Sequence, residues 1–341
     1  METMRAAVLR SFGQPLSIEQ VPIPAPGPHQ ALIKVEFTGV CHSDLHAASG
    51  DWSAPTTVPF ILGHAGHGPV VALGAGVTGT RIGDHLGGTW LASACGPCAY
   101  CLAGNEQLCP GQQNSGCSVP GSLAEYMLVD TRYAAHIPAG VDPSAVSPIL
   151  CGGVAAYRAL QLSGARAGQW VVISGIGGAG HLAVQYARVL GLRVAAVDVD
   201  ESKLALARKH GAEVTVNALT QDPGAELTAQ VGGAHAALVT APSTQAFTDS
   251  LAMLRPGGTV ALVGLPPGTF SIDIAAMVRS GLTVRGSNAG SRLDLTEALA
   301  LLAAGAVHPT VTVRPLTSVN AVLAELGSGL SEGSAVLDLS V

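Results

Sequence analysis

A glycine-rich turn between an apolar run and a helical segment most restricts how this chain can fold. Trp170-Val-Val-Ile-Ser174 leads into Gly175-Ile-Gly-Gly-Ala-Gly180, which fits G-x-G-x-x-G, and residues 181–190 have helical apolar spacing. Glycines let a backbone approach a pyrophosphate, and a helix N-terminus offers free N–H groups and a favourable dipole. This context predicts a dinucleotide site whose loop residues are Gly175, Gly177, Gly178, Ala179 and Gly180.

Strand and helix signals continue to alternate along residues 148–285. Strand candidates lie at residues 194–197, 214–216, 236–239, 259–263 and 282–284, and a helix is expected near residues 203–210. About six strands separated by helices predict a parallel, doubly wound sheet and an α/β fold class. We expect this domain to be inserted between residues 1–147, which hold short β-like runs, and residues 286–341. The last stretch is predicted to contain one helix, at residues 293–303, and short terminal strands.

An acidic residue ends the strand that follows the glycine-rich turn. Asp198 lies about twenty residues after the glycines, where a carboxylate can accept both hydroxyls of an adenosine ribose. The same charge would repel a 2′-phosphate, so NAD is favoured over NADP. The alternative is a glycine-rich turn with a surface aspartate.

Four of the seven cysteines lie within one short segment. Cys95, Cys98, Cys101 and Cys109 have the spacing C-x₂-C-x₂-C-x₇-C. Four thiolates can close a tetrahedron around one Zn²⁺ and leave no position for substrate, so this would be a structural site. An iron–sulfur cluster uses similar spacing and is the functional rival. Free or disulfide-bonded cysteines are the remaining alternative, although an odd cysteine count argues against a disulfide framework.

A second, dispersed set of metal-binding residue types is spread over the first half of the chain. Cys41, His64 and Cys151 offer two thiolates and one imidazole, which with an open fourth position form a catalytic zinc site. Taken singly, each is more often a buried cysteine or a core histidine. Spacing alone does not establish that they meet.

Charge and hydropathy exclude other classes of function. The net charge is −6, and no basic run indicates a nucleic-acid partner. No apolar stretch is long enough to span a bilayer, so no membrane partner is expected. The N-terminal residues are typical of a strand rather than a signal peptide, which makes a cytoplasmic location the default expectation.

Together these residues resemble the zinc-dependent medium-chain alcohol dehydrogenases, particularly their short microbial tetrameric branch. The resemblance covers nearly the whole chain. It includes the four-cysteine segment, the glycine-rich turn, and the motifs Gly39-Val-Cys-His-Ser-Asp-Leu-His46, Gly50-Asp-Trp52, Gly63-His64, Glu125-Tyr126, His136-Ile-Pro138, Pro148-Ile-Leu-Cys151, Val184-Gln-Tyr-Ala187 and Leu293-Asp-Leu295.

The resemblance implies a β-rich, chaperonin-10-like catalytic domain and a Rossmann NAD-binding domain. It implies a catalytic zinc held by Cys41, His64 and Cys151 and a structural zinc held by the four clustered cysteines. Asp44 would accept a hydrogen bond from His64 and tune the metal.

The resemblance also assigns roles around the reacting groups. Ser43 would take the proton of the alcohol and pass it through the cofactor ribose to His46, unless His46 is only a residue of the helix surface. His42 would contact the pyrophosphate. Lys203 would help Asp198 hold the adenosine ribose, and Val263 would complete the cofactor site.

The implied reaction is reversible hydride transfer from a primary alcohol, short-chain or aromatic, to NAD, giving an aldehyde. Trp52 and Trp90 resemble aromatic residues that narrow the substrate pocket, unless both only pack far from substrate. A homotetramer is expected. The alternatives are a related zinc-dependent dehydrogenase acting on a polyol or other secondary alcohol and, more remotely, a non-catalytic NAD-binding structural protein.

Three positions depart from the pattern of the family. Ala65 stands where most members have Glu near the catalytic zinc, which predicts slower exchange of zinc ligands. Ser334 stands where an Arg often contacts the pyrophosphate, and Ala155 stands where a Thr lies near the nicotinamide. The first of these two changes predicts weaker binding of NAD, and the second removes one contact near the nicotinamide.

Overall fold

A computed structural model describes residues 2–51, 57–329 and 331–340 of the chain, which divides into two compact units. Unit 1 comprises Met1–Cys151, Ser291–Ala304 and Thr310–Val341, and unit 2 comprises Gly152–Gly290 and Gly305–Pro309. The predicted boundaries, after residues 147 and 285, lie a few residues before the breaks at 151 and 290. Trp52 falls outside the described residues.

The first segment of unit 1 is built mainly from short strands. Its strands are β1 (Thr3–Leu9), β2 (Ser17–Pro22), β3 (Gln30–Lys34), β4 (Phe37–Val40), β5 (Phe60–Ile61), β6 (Gly66–Leu73), β7 (His85–Gly87), β8 (Leu91–Ser93), β9 (Gln113–Asn114), β10 (Tyr126–Asp130) and β11 (Ala135–His136). Its helices are α1 (His42–Ser49), α2 (Ala99–Leu102) and α3 (Pro143–Pro148). A 3₁₀ turn covers Glu106–Leu108, and a π-helical turn, Ile149–Gly153, follows α3.

Unit 2 alternates helices and strands, as the apolar runs predict. Its helices are α4 (Val154–Ser163), α5 (Gly180–Val189), α6 (Glu201–Lys209), α7 (Pro223–Val231), α8 (Thr244–Ala252) and α9 (Ile274–Ser280). Its strands are β12 (Trp170–Ser174), β13 (Arg193–Asp198), β14 (Val214–Asn217), β15 (Ala234–Val239), β16 (Leu254–Leu262) and β17 (Thr283–Gly286).

The chain then returns to unit 1. It forms α10 (Arg292–Ala303), β18 (Val311–Pro315), a 3₁₀ turn at Leu316–Ser318, α11 (Val319–Gly327) and β19 (Ser334–Asp338). The expectation of a single helix in this stretch is wrong, because α11 is a second one. Val319, Val322, Leu323 and Leu326 are buried at the i, i+3, i+4, i+7 spacing of an amphipathic helix.

The strands of unit 1 form largely antiparallel sheets around an apolar core. A three-stranded sheet has the order β2-β1-β5, and a larger sheet follows the path β10-β3-β6-β4-β19-β18 with β7 and β11 attached through β6. The returning strands complete this sheet, since β19 pairs antiparallel with β4. Core residues such as Ile33, Leu62 and Leu86 are fully buried.

The sheet of unit 2 is parallel throughout, which confirms the predicted doubly wound α/β class. Its strand order is β14-β13-β12-β15-β16-β17, and every pairing along this path is parallel. The order reverses beside β12, and in such sheets ligands bind at the carboxyl ends of the strands at this point. The glycine-rich turn follows β12 directly. No helix among the described residues is long and apolar enough to cross a membrane.

Candidate metal centres and nucleotide loop

Three segments of unit 1 bring Cys41, His64 and Cys151 together in what we call the dispersed centre. Cys41 is the N-cap of α1, His64 precedes β6, and Cys151 lies in the π-helical turn after α3. The Cys41 Sγ lies 3.4 Å from the His64 Nε2 and 3.6 Å from the Cys151 Sγ, and the His64 Nε2 lies 3.0 Å from the Cys151 Sγ. Single π-helical turns are frequent at functional sites.

The charges around this centre favour a cation. Burial opposes a proton on His64, but the neighbouring Cys151, Asp44 and Cys41 raise the pKa of the imidazole well above its ordinary value. The side chains of His64 and Asp44 are only 3 % and 2 % exposed. A buried site whose neighbours attract positive charge this strongly suits a divalent ion.

Asp44 fixes the orientation of the imidazole. The His64 Nδ1 lies 3.2 Å from the Asp44 Oδ1, and the Asp44 Oδ2 accepts a 2.9 Å hydrogen bond from the Cys41 N–H. Asp44 therefore connects two members of the dispersed centre and leaves the His64 Nε2 facing the thiols. A carboxylate behind a ligating histidine is the usual way to set its tautomer.

The donor set fits zinc. Zinc binds thiolate at about 2.3 Å and imidazole at about 2.0 Å, so tetrahedral ligands lie roughly 3.5–3.8 Å apart. The two separations that involve Cys41 are close to these values, whereas that between His64 and Cys151 is shorter at 3.0 Å. The three donor atoms all lie within 4.8 Å of one another. Three protein ligands leave one corner of a tetrahedron for another molecule.

The four clustered cysteines form a second centre in unit 1, which we call the lobe. Cys98 caps α2, Cys101 lies within it, and Cys109 ends the 3₁₀ turn. Sulfur separations are 3.5 Å for Cys98–Cys101, 3.5 Å for Cys109–Cys95 and 4.0 Å for Cys95–Cys101. All four sulfurs lie within 4.8 Å of one another, so the donor set fits a zinc ion bound by four thiolates.

The thiols of the lobe differ in how readily they ionise. Backbone N–H groups, first that of Cys95, lower the pKa of Cys109 to about 7, whereas burial raises the pKa of Cys101 to about 12. A dication held by these four sulfurs would let all four ionise together, because a metal ligates the thiolate and not the thiol.

Sequence reasoning missed the ion pair that holds the lobe. Glu106, which is 3 % exposed, accepts a 2.7 Å hydrogen bond from the Nε of Arg292 on α10. The guanidinium also lies 5.2 Å from the ring of Tyr133, whose hydroxyl donates to the carbonyl of Ala94 next to Cys95. A glutamate inside a cysteine-rich loop was the available signal, since a buried charge requires a partner.

The residues expected to move a proton lie on α1, beside the dispersed centre. Ser43 donates its backbone N–H to the Cys41 Sγ at 3.3 Å, and His42 begins the helix. His46 is buried rather than on the helix surface, and its Nδ1 lies 2.8 Å from the Asp51 Oδ2. Sequence reasoning did not identify this partner.

Trp90 lies against a member of the dispersed centre. The rings of Trp90 and His64 meet edge to face, with centroids 5.4 Å apart. The indole is therefore positioned to shape the space next to the predicted open corner.

In unit 2, the glycine-rich turn has the geometry that a pyrophosphate site needs. A Cβ at Gly180 would lie 1.8 Å from the Gly175 carbonyl oxygen, so only glycine allows α5 to start so close to β12. A Cβ at Gly177 would meet no atom within 4 Å. The space over Gly177 is thus open to a ligand, and the turn fits a dinucleotide. Gly178 and Ala179 complete the turn, and Ala179 caps α5.

Asp198 ends β13 and faces this turn. Its Oδ2 accepts the Ile176 N–H at 2.6 Å, and its Oδ1 accepts the Val199 N–H at 2.7 Å. The carboxylate therefore lies where a ribose attached to that pyrophosphate would reach. Lys203 lies on α6, and Val263 follows β16, where its N–H bonds the Val239 carbonyl.

The three departures from the family pattern lie in different places. Ala65 is buried next to His64, and its carbonyl accepts the Gly39 N–H. Ser334 is the first residue of β19 in unit 1, and Ala155 lies on α4 in unit 2.

Comparison with known proteins matches both units. Residues 27–139 match the alcohol dehydrogenase GroES-like domain, and residues 178–304 match the zinc-binding dehydrogenase family. An alcohol dehydrogenase of Moraxella sp. (strain TAE123) is 52 % identical over 338 residues, which cover 99 % of this chain and 100 % of that protein. One from Geobacillus stearothermophilus is 46 % identical over 336 residues, covering 98 % and 99 %.

The chain belongs to the zinc-dependent medium-chain alcohol dehydrogenase family. Among solved structures, that of the alcohol dehydrogenase of the hyperthermophilic archaeon Aeropyrum pernix is similar, with a TM-score of 0.92 and 30 % identity, covering 98 % of this chain and 100 % of that one. The family and the two-domain fold implied by the resemblance are thereby confirmed. As in other members of the zinc-dependent alcohol dehydrogenase family, the chain combines a GroES-like catalytic domain and an NAD-binding domain.

Proposed function

We propose that the protein catalyses zinc-assisted, reversible oxidation of a small primary alcohol to an aldehyde, with NAD as the hydride acceptor. The observation that carries this proposal is the meeting of Cys41, His64 and Cys151, since three protein ligands with an open corner are the mark of a catalytic rather than a structural zinc. Zinc held there supplies a Lewis acid that polarises the alcohol oxygen, and the dinucleotide supplies the hydride acceptor.

The protein side chains orient the reactants and carry the proton. Asp44 holds His64 in one tautomer. Ser43 accepts the proton of the alcohol, and His46 receives it for release to water. Unit 1 supplies these residues, whereas the turn of unit 2 and Asp198 bind the dinucleotide, with contributions from His42, Lys203 and Val263.

The preference for NAD over NADP follows from Asp198. A carboxylate at the end of the second strand accepts ribose hydroxyls and repels a 2′-phosphate. The kcat/KM for NAD should exceed that for NADP, and Asp198→Ala should narrow the ratio. Equal kcat/KM values for NAD and NADP in the wild type would contradict this preference.

Substrate size follows from Trp90. Its indole beside His64 narrows the space at the metal, which favours short primary alcohols. Trp90→Ala should raise kcat/KM for bulkier alcohols relative to ethanol, and no such gain would contradict the pocket assignment.

The experiment that tests the proposal measures NADH production against primary, secondary, aromatic and polyol substrates, with zinc content determined in parallel. We expect two zinc ions per chain and activity on primary alcohols. A chelator should remove one of the two zinc ions, and the activity should be lost together with that ion. Activity confined to polyols or secondary alcohols would favour the related dehydrogenase. A single zinc lost only on unfolding, with no activity, would indicate a structural protein. The expected homotetramer is tested by light scattering in solution.

A further inference from the structure

A histidine–carboxylate pair at the end of α1 connects a buried side chain to the protein surface. The His46 Nδ1 lies 2.8 Å from the Asp51 Oδ2, and the two side chains are 10 % and 40 % exposed. His46 is buried and Asp51 borders solvent. The pair therefore spans the distance that a proton leaving His46 has to cover.

The backbone holds the two residues together independently of their side chains. The N–H groups of Gly50 and Asp51 both donate to the His46 carbonyl, at 3.0 and 3.1 Å. Gly50 adopts the left-handed conformation, with φ of 76°, as helix C-terminal glycines do. A Cβ at Gly50 would also lie 3.1 Å from the Phe12 ring, so this turn requires glycine. Asp51 is thus bonded to His46 both through its backbone N–H and through its carboxylate.

The pairing determines which ring nitrogen carries the proton. An ionised carboxylate only accepts hydrogen bonds, so the His46 Nδ1 must be the donor. In the neutral imidazole the Nε2 then has the lone pair and acts as the base. The His46 Nε2 atom is buried.

Other acidic side chains near α1 are directed elsewhere. Asp44, on the same helix, faces His64 and the Cys41 N–H. Glu325 lies on α11, which packs against α1, and accepts a 2.7 Å hydrogen bond from Arg314. Asp51 is the carboxylate that the structure places on His46.

We propose that Asp51 is a positioning residue for proton release during alcohol oxidation, a role that rests on the proposed function. His46 accepts the released proton at Nε2 and becomes an imidazolium whose charge Asp51 balances. The Nδ1 proton then passes by way of Asp51 to water, which leaves neutral His46 with its proton on Nε2. Proton exchange between the ring and water restores the Nδ1–H form, so one proton enters and one leaves in each cycle.

The kinetic test compares Asp51→Asn with the wild type in the zinc-loaded protein. The amide removes the charge and no longer imposes one tautomer, so kcat at pH 7 should fall about 30-fold, which is less than the roughly 10²–10⁴-fold that a whole proton-transfer step contributes. KM values for alcohol and NAD should stay within about 2-fold, because no substrate contact is lost. Asp51→Glu should recover part of the rate. Asp249→Asn, which alters an aspartate bonded to Gln245 in unit 2, is the matched control and should be unchanged.

Two further measurements separate positioning from a general structural effect. The rate deficit of Asp51→Asn should shrink above about pH 9, where hydroxide accepts the proton directly. In a His46→Gln background, Asp51→Asn should cost less than about 2-fold, because a residue acting only through His46 has nothing left to position. A full deficit in that background, or an equal deficit at every pH, would overturn the proposal.

A readout without turnover distinguishes this inference from the proposed function. In protein with ¹⁵N-labelled histidine, His46 should be the Nδ1–H tautomer in the wild type and populate Nε2–H in Asp51→Asn. If alcohol is oxidised but His46 is Nε2–H in both proteins, the role of Asp51 is refuted and the proposed function stands. If the Nδ1–H tautomer is found and no alcohol is oxidised, the proposed function fails and this role with it.

Discussion

The lobe and the dispersed centre gather similar donor atoms by different means. The lobe takes four sulfurs from residues 95–109, and two short turns place them. The dispersed centre joins Cys41 to Cys151, 110 positions apart in sequence, through α1, the start of β6 and the turn after α3. The lobe therefore depends on local backbone geometry, and the dispersed centre depends on packing across the whole unit.

The two centres also differ in what they leave open. Four sulfurs enclose an ion completely, whereas three ligands leave a corner for substrate. Removing a ligand should therefore cost activity at the dispersed centre and stability at the lobe.

Replacing Cys151 with serine should reduce kcat/KM for alcohol oxidation about 10³-fold or more. A Lewis acid contributes several kcal/mol to the barrier, and each 1.4 kcal/mol is about a factor of ten. Steady-state kinetics and circular dichroism together check that activity is lost while the fold is kept. Cys117→Ser, in a buried cysteine outside both centres, is the matched control and should retain activity within about 2-fold. More than a tenth of the activity in Cys151→Ser would contradict the assignment.

Replacing Cys101 with serine should lower the free energy of unfolding by about 3–5 kcal/mol, since a structural zinc contributes folding energy directly. The expected drop in Tm is about 5–10 °C. The folded fraction should keep its kcat at 25 °C. Calorimetry and kinetics on the same sample check both quantities, and a variant that is stable but inactive would reverse the roles of the two centres.

Acid should lower the free energy of unfolding of unit 1 through His67, which connects two segments that carry the dispersed centre. This residue lies on β6, and its Nε2 donates to the Pro143 carbonyl at the start of α3 at 2.9 Å, which connects the strand after His64 to the helix before Cys151. Burial lowers the pKa of His67 to about 4 from an ordinary 6.5. As pH falls from 6.5 towards 4, the unfolded chain takes up a proton at this position that the folded chain does not. The contribution of neutral His67 to stability is therefore fully present above pH 6.5 and is lost as the pH falls through this range.

The expected loss from His67 is about 2 kcal/mol between pH 7 and pH 5. Urea unfolding at several pH values measures it. His67→Gln should be less stable at pH 7 but have a flatter pH dependence, whereas His136→Gln, at an exposed histidine, should follow the wild-type slope. An unchanged slope in His67→Gln would rule out this histidine as the source.

Replacing Arg292 with lysine should have the smallest effect. Lysine keeps the positive charge near buried Glu106 but loses the planar fork and the contact with Tyr133. The expected cost is about 1 kcal/mol, because the guanidinium is half exposed and its charge is screened. Thermal unfolding and the rate of zinc loss from the lobe measure it. A fall in kcat would show that the lobe is coupled to the reaction.

Much of the fold was predictable because its signals are local. The strand predicted at residues 194–197 is observed as Arg193–Asp198, and the strand predicted at residues 214–216 is observed as Val214–Asn217. Short apolar runs bounded by polar residues and glycines identify buried parallel strands well. The helix Val319–Gly327 was missed although its buried residues have helical spacing.

The site was predictable in residue types and less so in partners. The pairs His46–Asp51 and Arg292–Glu106 were missed, for opposite reasons. Asp51 is close in sequence, but only the left-handed Gly50 turns it back onto His46. Arg292 is 186 positions from Glu106, and no spacing rule connects residues so distant.

By itself, the sequence determined the lobe and the glycine-rich turn, because residues so close along the chain cannot lie far apart and their types permit few chemistries. No segment of the sequence shows that Cys41, His64 and Cys151 meet, or that His46 is buried beside the carboxylate of Asp51. These contacts depend on how sheets and helices pack, and packing is a property of the whole unit rather than of any segment within it.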